Sequence, residues 1–121
     1  MEFQIKQFNG VPLAEVLSNE VVLFKTEDAL DLIGNCHYQG ATKIIIREEN
    51  ITPDFFDLKT KIAGDILQKF STYAMQLAIV GDFTKYQSKS LNDFIYESNK
   101  QGRILFVPSI EEAQVKLTGT K

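Results

Sequence analysis

Cysteine, histidine and surplus basic charge are all scarce in this chain, and each scarcity removes a class of function. There is one cysteine, Cys36, so no internal disulfide can form, which fits a cytoplasmic chain. There is one histidine, His37, so no zinc site can be assembled from Cys and His ligands. The two are adjacent, and neighbouring helix residues point about 100° apart, a poor arrangement for a nucleophile and its base. Cys36 reads instead as a small core residue and His37 as a complement to a helix C-terminus. Lys and Arg number 13 against 16 Asp and Glu, for a net charge of −3. With no long basic run, binding to nucleic acid or to an anionic membrane is not expected. The apolar runs at 21–24, 44–46 and 77–80 are far shorter than the roughly 20 residues of a membrane-spanning helix. The opening MEFQIK lacks the apolar region of a secretory signal. The Walker A, GxSxG and GxGxxG patterns are missing, and no cofactor is expected. Neither repeats nor linkers break the chain, so residues 1–121 are expected to form one domain.

What is present is a regular alternation of elements. Phe3 and Ile5 alternate with polar neighbours, Asn9-Gly10 is a type I′ turn signal, and residues 13–17 complete a hairpin. Thr26 is expected to cap a helix with Ala29, Leu30, Ile33 and Cys36 inward, closed by Gly40. Residues 43–48 and 76–82 read as buried strands. Ser90, with Asp93 three residues on, is expected to cap a third helix, with Leu91, Phe94, Ile95 and Ser98 inward and Gly102 at its end. Residues 103–107 form a last strand, and Ser109 with Glu112 is a capping box for a final helix carrying Ala113 and Leu117 inward. The expected fold is α/β in the order ββαβαβαβα, a mixed, largely parallel sheet with helices packed on it.

The stretch ENITPDFFDLKTKIAGDILQKF, residues 49–70, reads as one helix started by Thr52 and Pro53, with Asp54 and Asp57 near its N-terminus. Its apolar side takes in Phe55, Phe56, Leu58, Ile62, Ala63, Ile66, Leu67 and Phe70, about half the circumference. That side is either covered by the sheet and a neighbouring helix, or partly exposed to a partner such as a second copy. Lys59 falls in its middle. Near the carboxyl edge of a parallel sheet it would meet Glu48, Glu49 and Asp82, held there by carboxylates or extending its amine to water. Open α/β folds bind ligands outside this edge, so a ligand-binding set is expected from Lys59, Asp82, Glu48, Thr52, Asp54, Ser88 and Ser90. Residues 81–90, with Thr84, Lys85, Tyr86 and Lys89, add hydroxyls and lysines suited to an anion, although plain capping is by far the commoner role for such residues. Convergence of Glu48, Glu49, Asp54, Asp57 and Asp82 on Mg²⁺ is a further arrangement to examine. Phe55, Phe56, Phe83 and Tyr86 are the expected interface aromatics.

The segments Thr52-Pro-Asp-Phe-Phe-Asp-Leu-Lys-Thr60, Ala63-Gly-Asp-Ile-Leu-Gln-Lys-Phe70, Ile79-Val-Gly-Asp-Phe83 and Ser88-Lys-Ser-Leu-Asn-Asp-Phe-Ile-Tyr-Glu-Ser-Asn99 resemble a bacterial domain-of-unknown-function family, the one numbered 4180. The resemblance spans nearly the whole chain and implies no activity. The chain is also similar to the STAS domains of anti-sigma-factor antagonists, which implies a STAS-like fold with helices on one side of the sheet. Where those domains carry a phosphorylatable serine, this chain has Thr52-Pro53-Asp54-Phe55. Two functions are therefore expected to compete. One is a non-catalytic regulatory module binding a protein partner or forming a homodimer. The other is a small-molecule or anion sensor, or small enzyme, using Lys59 and Asp82.

Overall fold

Strand β1 (Phe3–Phe8) turns at Asn9 and Gly10, both at positive φ, into strand β2 (Val11–Val16), pairing antiparallel with Phe3 opposite Val16. The computed structural model describes residues 2–119. Helix α1 (Thr26–Tyr38), strand β3 (Lys43–Arg47), helix α2 (Ile62–Thr72), strand β4 (Gln76–Val80), helix α3 (Lys89–Gln101), strand β5 (Ile104–Val107) and helix α4 (Ile110–Thr118) follow. The five strands lie in the order β1-β2-β3-β4-β5, with β2 to β5 parallel. The expected element order and mixed, largely parallel sheet are both present.

The period-2 alternation of the strands divides the core in two. Ala14, Ile44, Leu77 and Ile104 form one row in register, and Ile46, Ile79 and Phe106 another. Both rows pack against α1 through Leu32 and Cys36, against α2 through Ile66 and Phe70, and against α3 through Leu91. The alternate residues, Leu13, Ile45, Ala78, Leu105 and Val107, point the other way and meet Ala113 and Leu117 of α4. The STAS likeness implied helices on one side only; here α4 covers the second face. That placement follows from sequence: β5 itself is buried on both faces, and α4 brings the one remaining apolar stripe.

The stretch 49–70 departs most from expectation. It is not one helix but three single 3₁₀ turns, Glu48–Asn50, Pro53–Phe56 and Leu58–Thr60, followed by α2. The cause is local hydrogen bonding. The Asp57 carboxylate accepts from the Lys59 amide at 3.1 Å, and the Thr60 hydroxyl donates to the carbonyls of Asp54 at 2.7 Å and Asp57 at 2.8 Å. These bonds offer the backbone an alternative to the helical ladder. Lys61 then takes a left-handed conformation, φ 67°, and the chain re-enters as α2.

Two caps also differ. The first α1 residue is Thr26 itself, and the Asp28 carboxylate accepts the amides of Phe24 at 2.9 Å and Lys25 at 3.1 Å. Ser88, not Ser90, caps α3, its hydroxyl accepting from the Leu91 amide at 3.2 Å. Ser90 is already helical and exposed. The Ser109 cap of α4 is as expected, accepting from the Glu112 amide at 3.1 Å.

Candidate functional site

The carboxyl ends of β3 and β4 bring together residues that lie far apart in the chain. Glu48 follows β3 directly, and Gly81 follows β4. Glu48 lies against Gly81 so closely that a Cβ at that glycine would stand 2.6 Å from Glu48 Oε1 and 2.8 Å from Glu48 Cβ. The glycine is needed for close approach, not for an unusual φ. Glu48 Oε2 accepts from the Tyr86 hydroxyl and from the Lys85 ammonium, the latter at 2.8 Å. Glu48's side chain is 15% exposed, and that of Lys85 55%. A carboxylate that far removed from water needs such partners.

The Tyr86 ring stacks on Phe56, centroids 5.1 Å apart and 14° between planes, and Lys85 Nζ lies 5.4 Å from the Tyr86 centroid. Burial first, then the bond and charge of Glu48, raise the Tyr86 hydroxyl well above its ordinary value. It is therefore a donor at neutral pH and not a phenolate. Phe56, Phe83, Phe106 and Phe55 continue the ring contacts into the core. A cleft of about 480 Å³ opens beside these groups, lined by Val21, Ile51, Pro53, Phe56 and Val80 as well as by Glu48, Glu49, Gly81, Lys85 and Tyr86. Asn50, between Glu49 and Ile51, is fully buried; its Nδ2 donates to the carbonyls of Ser18 at 2.8 Å and Glu20 at 2.9 Å while its Oδ1 accepts the Arg47 amide at 3.1 Å, tying the segment after β2 to the end of β3.

The expected ligand set is only partly assembled. Glu48 is central. Lys59 is not: with the continuous helix gone it sits on an exposed 3₁₀ turn, and its ammonium makes no ion pair or hydrogen bond with the described residues. The cation held at the edge is Lys85. Asp82 is exposed and turned back on its own loop, accepting from the Thr84 hydroxyl at 2.5 Å and amide at 3.1 Å. Those bonds, aided by Lys85, hold its carboxyl below the ordinary value. Thr52 is 7% exposed and accepts from the Asp54 amide at 3.4 Å, so its hydroxyl serves a cap; Asp54 is exposed. Ser88 caps α3 and Ser90 faces outward. Among the described residues no group of three or more His, Cys, Asp or Glu side chains is placed to hold a metal ion, so the five acids considered for Mg²⁺ do not converge.

The interface aromatics are likewise placed differently. Phe55 is fully buried and Phe56 8% exposed, while Phe83 and Tyr86 are half-buried against them. Their rings pack mainly on one another and on Phe106. Leu17, 46% exposed, and Phe24, 59% exposed, are the outward-facing apolar residues on the segment that leaves β2 at this edge. Cys36 is fully buried, its thiol pushed up to about 11 by desolvation, and His37 is exposed in the last turn of α1, toward the opposite edge. Sequence reasoning missed Asn50 and Gly81 as organising residues. The dipeptide Gly81-Asp82 at a strand end was a signal for a turn, but not for the Glu48 side chain laid across it.

The fold and this edge define an α/β protein built on an open, mostly parallel five-stranded sheet, with an acid–lysine–tyrosine cluster where two inner strands end. Residues 8–117 match the model of a family described as Domain of unknown function (DUF4180), and the chain belongs to that family. No curated protein and no solved structure gives a match to the chain.

Proposed function

We propose that the protein is a non-catalytic regulatory module of the bacterial cytoplasm that works by contact at the carboxyl edge of its sheet, with a second copy of itself as the first partner to test. The observation that carries this reading is the mutual engagement of Glu48, Lys85 and Tyr86. Glu48 is already ion-paired with Lys85 and hydrogen-bonded by Tyr86, so its charge is engaged within the chain, an arrangement that suits a structured contact surface. Leu17 and Phe24, exposed on the same edge, supply apolar contact area. Thr52, at the place of the STAS serine, is a buried cap, which favours contact over a phosphoryl switch.

Light scattering over a concentration series tests the reading. A dimer mass at micromolar concentration is expected, falling to monomer in the double variant Leu17→Lys, Phe24→Lys. A parent chain that stays monomeric throughout would remove the homodimer.

The second reading, a small-ligand sensor, is favoured by the cleft of about 480 Å³, within the usual range for such sites. It would use Glu48 and Lys85 in place of Lys59 and Asp82. A ligand-dependent rise in melting temperature, lost in Lys85→Ala, is its expected mark.

A further inference from the structure

We propose that the carboxyl-edge cleft takes a small organic cation, a primary ammonium on a short apolar arm, and that Lys85 occupies the place of that ammonium in the free protein. The proposal rests on reading this edge as the binding surface and adds the chemistry of what binds.

Charge decides the sign of the ligand. The residues lining the cleft include two glutamates, Glu48 and Glu49, against one lysine, a formal charge of −1 even with Lys85 in place. Once Lys85 swings out, a cation is the group that restores balance. An anion would meet the Glu48 carboxylate instead.

Preorganisation separates the fixed part of the site from the removable part. Glu48 is held by the Tyr86 hydroxyl and by its seat against Gly81, and its side chain is 15% exposed. Tyr86 is stacked on Phe56. Lys85 has no such anchorage: its side chain is 55% exposed and stands on the loop between β4 and α3. Ion pairs of such exposed lysines are weak and readily exchanged. The cation position is thus bounded by a carboxylate and an aromatic ring, the pair that recognises alkylammonium groups. Val21, Ile51, Pro53 and Val80 provide apolar wall for the arm.

The test is titration of the ¹⁵N-labelled chain with butylammonium chloride, sodium butyrate and butan-1-ol at equal ionic strength, followed by amide shifts. Saturable shifts at Ile51, Gly81 and Tyr86 are expected with butylammonium alone. Lys85→Met should tighten butylammonium binding about threefold or more, because an internal competitor lowers apparent affinity by the fraction of sites it fills. Glu48→Gln keeps an acceptor for the Tyr86 hydroxyl and should weaken binding about tenfold. Butyrate binding as well as butylammonium, shifts confined to other regions, or a Lys85→Met affinity equal to the parent's would each overturn the assignment. The comparison of the three probes on the parent chain needs no variant to fold. Sedimentation velocity on the same samples separates this inference from the contact reading. No butylammonium response with self-association intact overturns the cation assignment alone, whereas a butylammonium-binding monomer supports it and removes the homodimer.

Discussion

A missing methyl group keeps Glu48 where it is. Because a Cβ on Gly81 would fall 2.6 Å from Glu48 Oε1 and 2.8 Å from its Cβ, relief requires more than rotation of a flexible tip. Gly81→Ala is expected to lower unfolding free energy by about 1–3 kcal/mol, the usual cost of overpacking, measured by urea denaturation. It should also break the Lys85–Glu48 pair. Cys36 gives a second prediction at this scale. Its thiol, ordinarily near 9.0, is pushed up to about 11 by full burial. Between those values the unfolded chain releases a proton that the folded chain retains. The stabilisation is therefore complete below about pH 9 and is lost as pH rises toward 11, by roughly 2–3 kcal/mol. Tyr86, also raised, steepens the same limb above its ordinary value of 10.0. Urea unfolding from pH 8 upward should show a shallower alkaline fall in Cys36→Ala than in the parent, and equal slopes would contradict the assignment.

At the scale of elements, the outcome turns on which of several nearby polar side chains reaches an orphan amide. Ser88 and Ser90 both precede the apolar stripe of α3, and spacing to Asp93 favoured Ser90. The structure chooses Ser88, since its hydroxyl meets the Leu91 amide, while Lys89 pairs with Asp93 at 2.9 Å on the helix surface. Ser88→Ala should cost about 1 kcal/mol, whereas Ser90→Ala, at an exposed helical position, should change stability by less than about 0.5 kcal/mol. Thermal denaturation of the two variants side by side reads this directly. The segment 52–61 follows the same rule. Thr60 lies where its hydroxyl closes on two carbonyls, so the turn is built by Asp54, Asp57 and Thr60 together. The apolar residues Phe55, Phe56, Ala63, Ile66 and Phe70 are all buried, the two rings expected at an interface included, and their spacing is not that of a single helix.

For the molecule as a whole, the sheet order sets the gradient of stability. Strands β3 and β4 are flanked on both sides, and Ile44, Ile45, Ile46, Leu77, Ala78 and Ile79 are all at most 1% exposed. Strand β1 is an edge with alternating exposed residues. Native-state hydrogen exchange should find the amides of Ile44–Ile46 and Leu77–Ile79 opening only with global unfolding, and those of β1 opening at lower free energy. Equal protection in β1 and β4 would contradict this ranking. The same sheet order places the ends of β3 and β4 side by side, and so it is the whole fold that seats Glu48 beside Gly81, with Lys85 and Tyr86 reaching back from the loop.

Local chemistry determined much of this protein from sequence alone. Period-2 and period-3.6 apolar patterns, the Asn9-Gly10 turn, the Gly102 terminus and the Ser109 cap need only neighbours in the chain, and these features stand where the sequence put them. The family membership was carried by contiguous segments as well. Tertiary structure alone decided that Lys85 and not Lys59 is the cation at the sheet edge, that Phe55 and Phe56 are core rings, and that Asn50 ties the segment after β2 to the end of β3. The physical reason is that a side chain's partner is set by distances between strand ends, and a run of alternative hydrogen bonds two to six residues long can redirect a lysine from those ends into water.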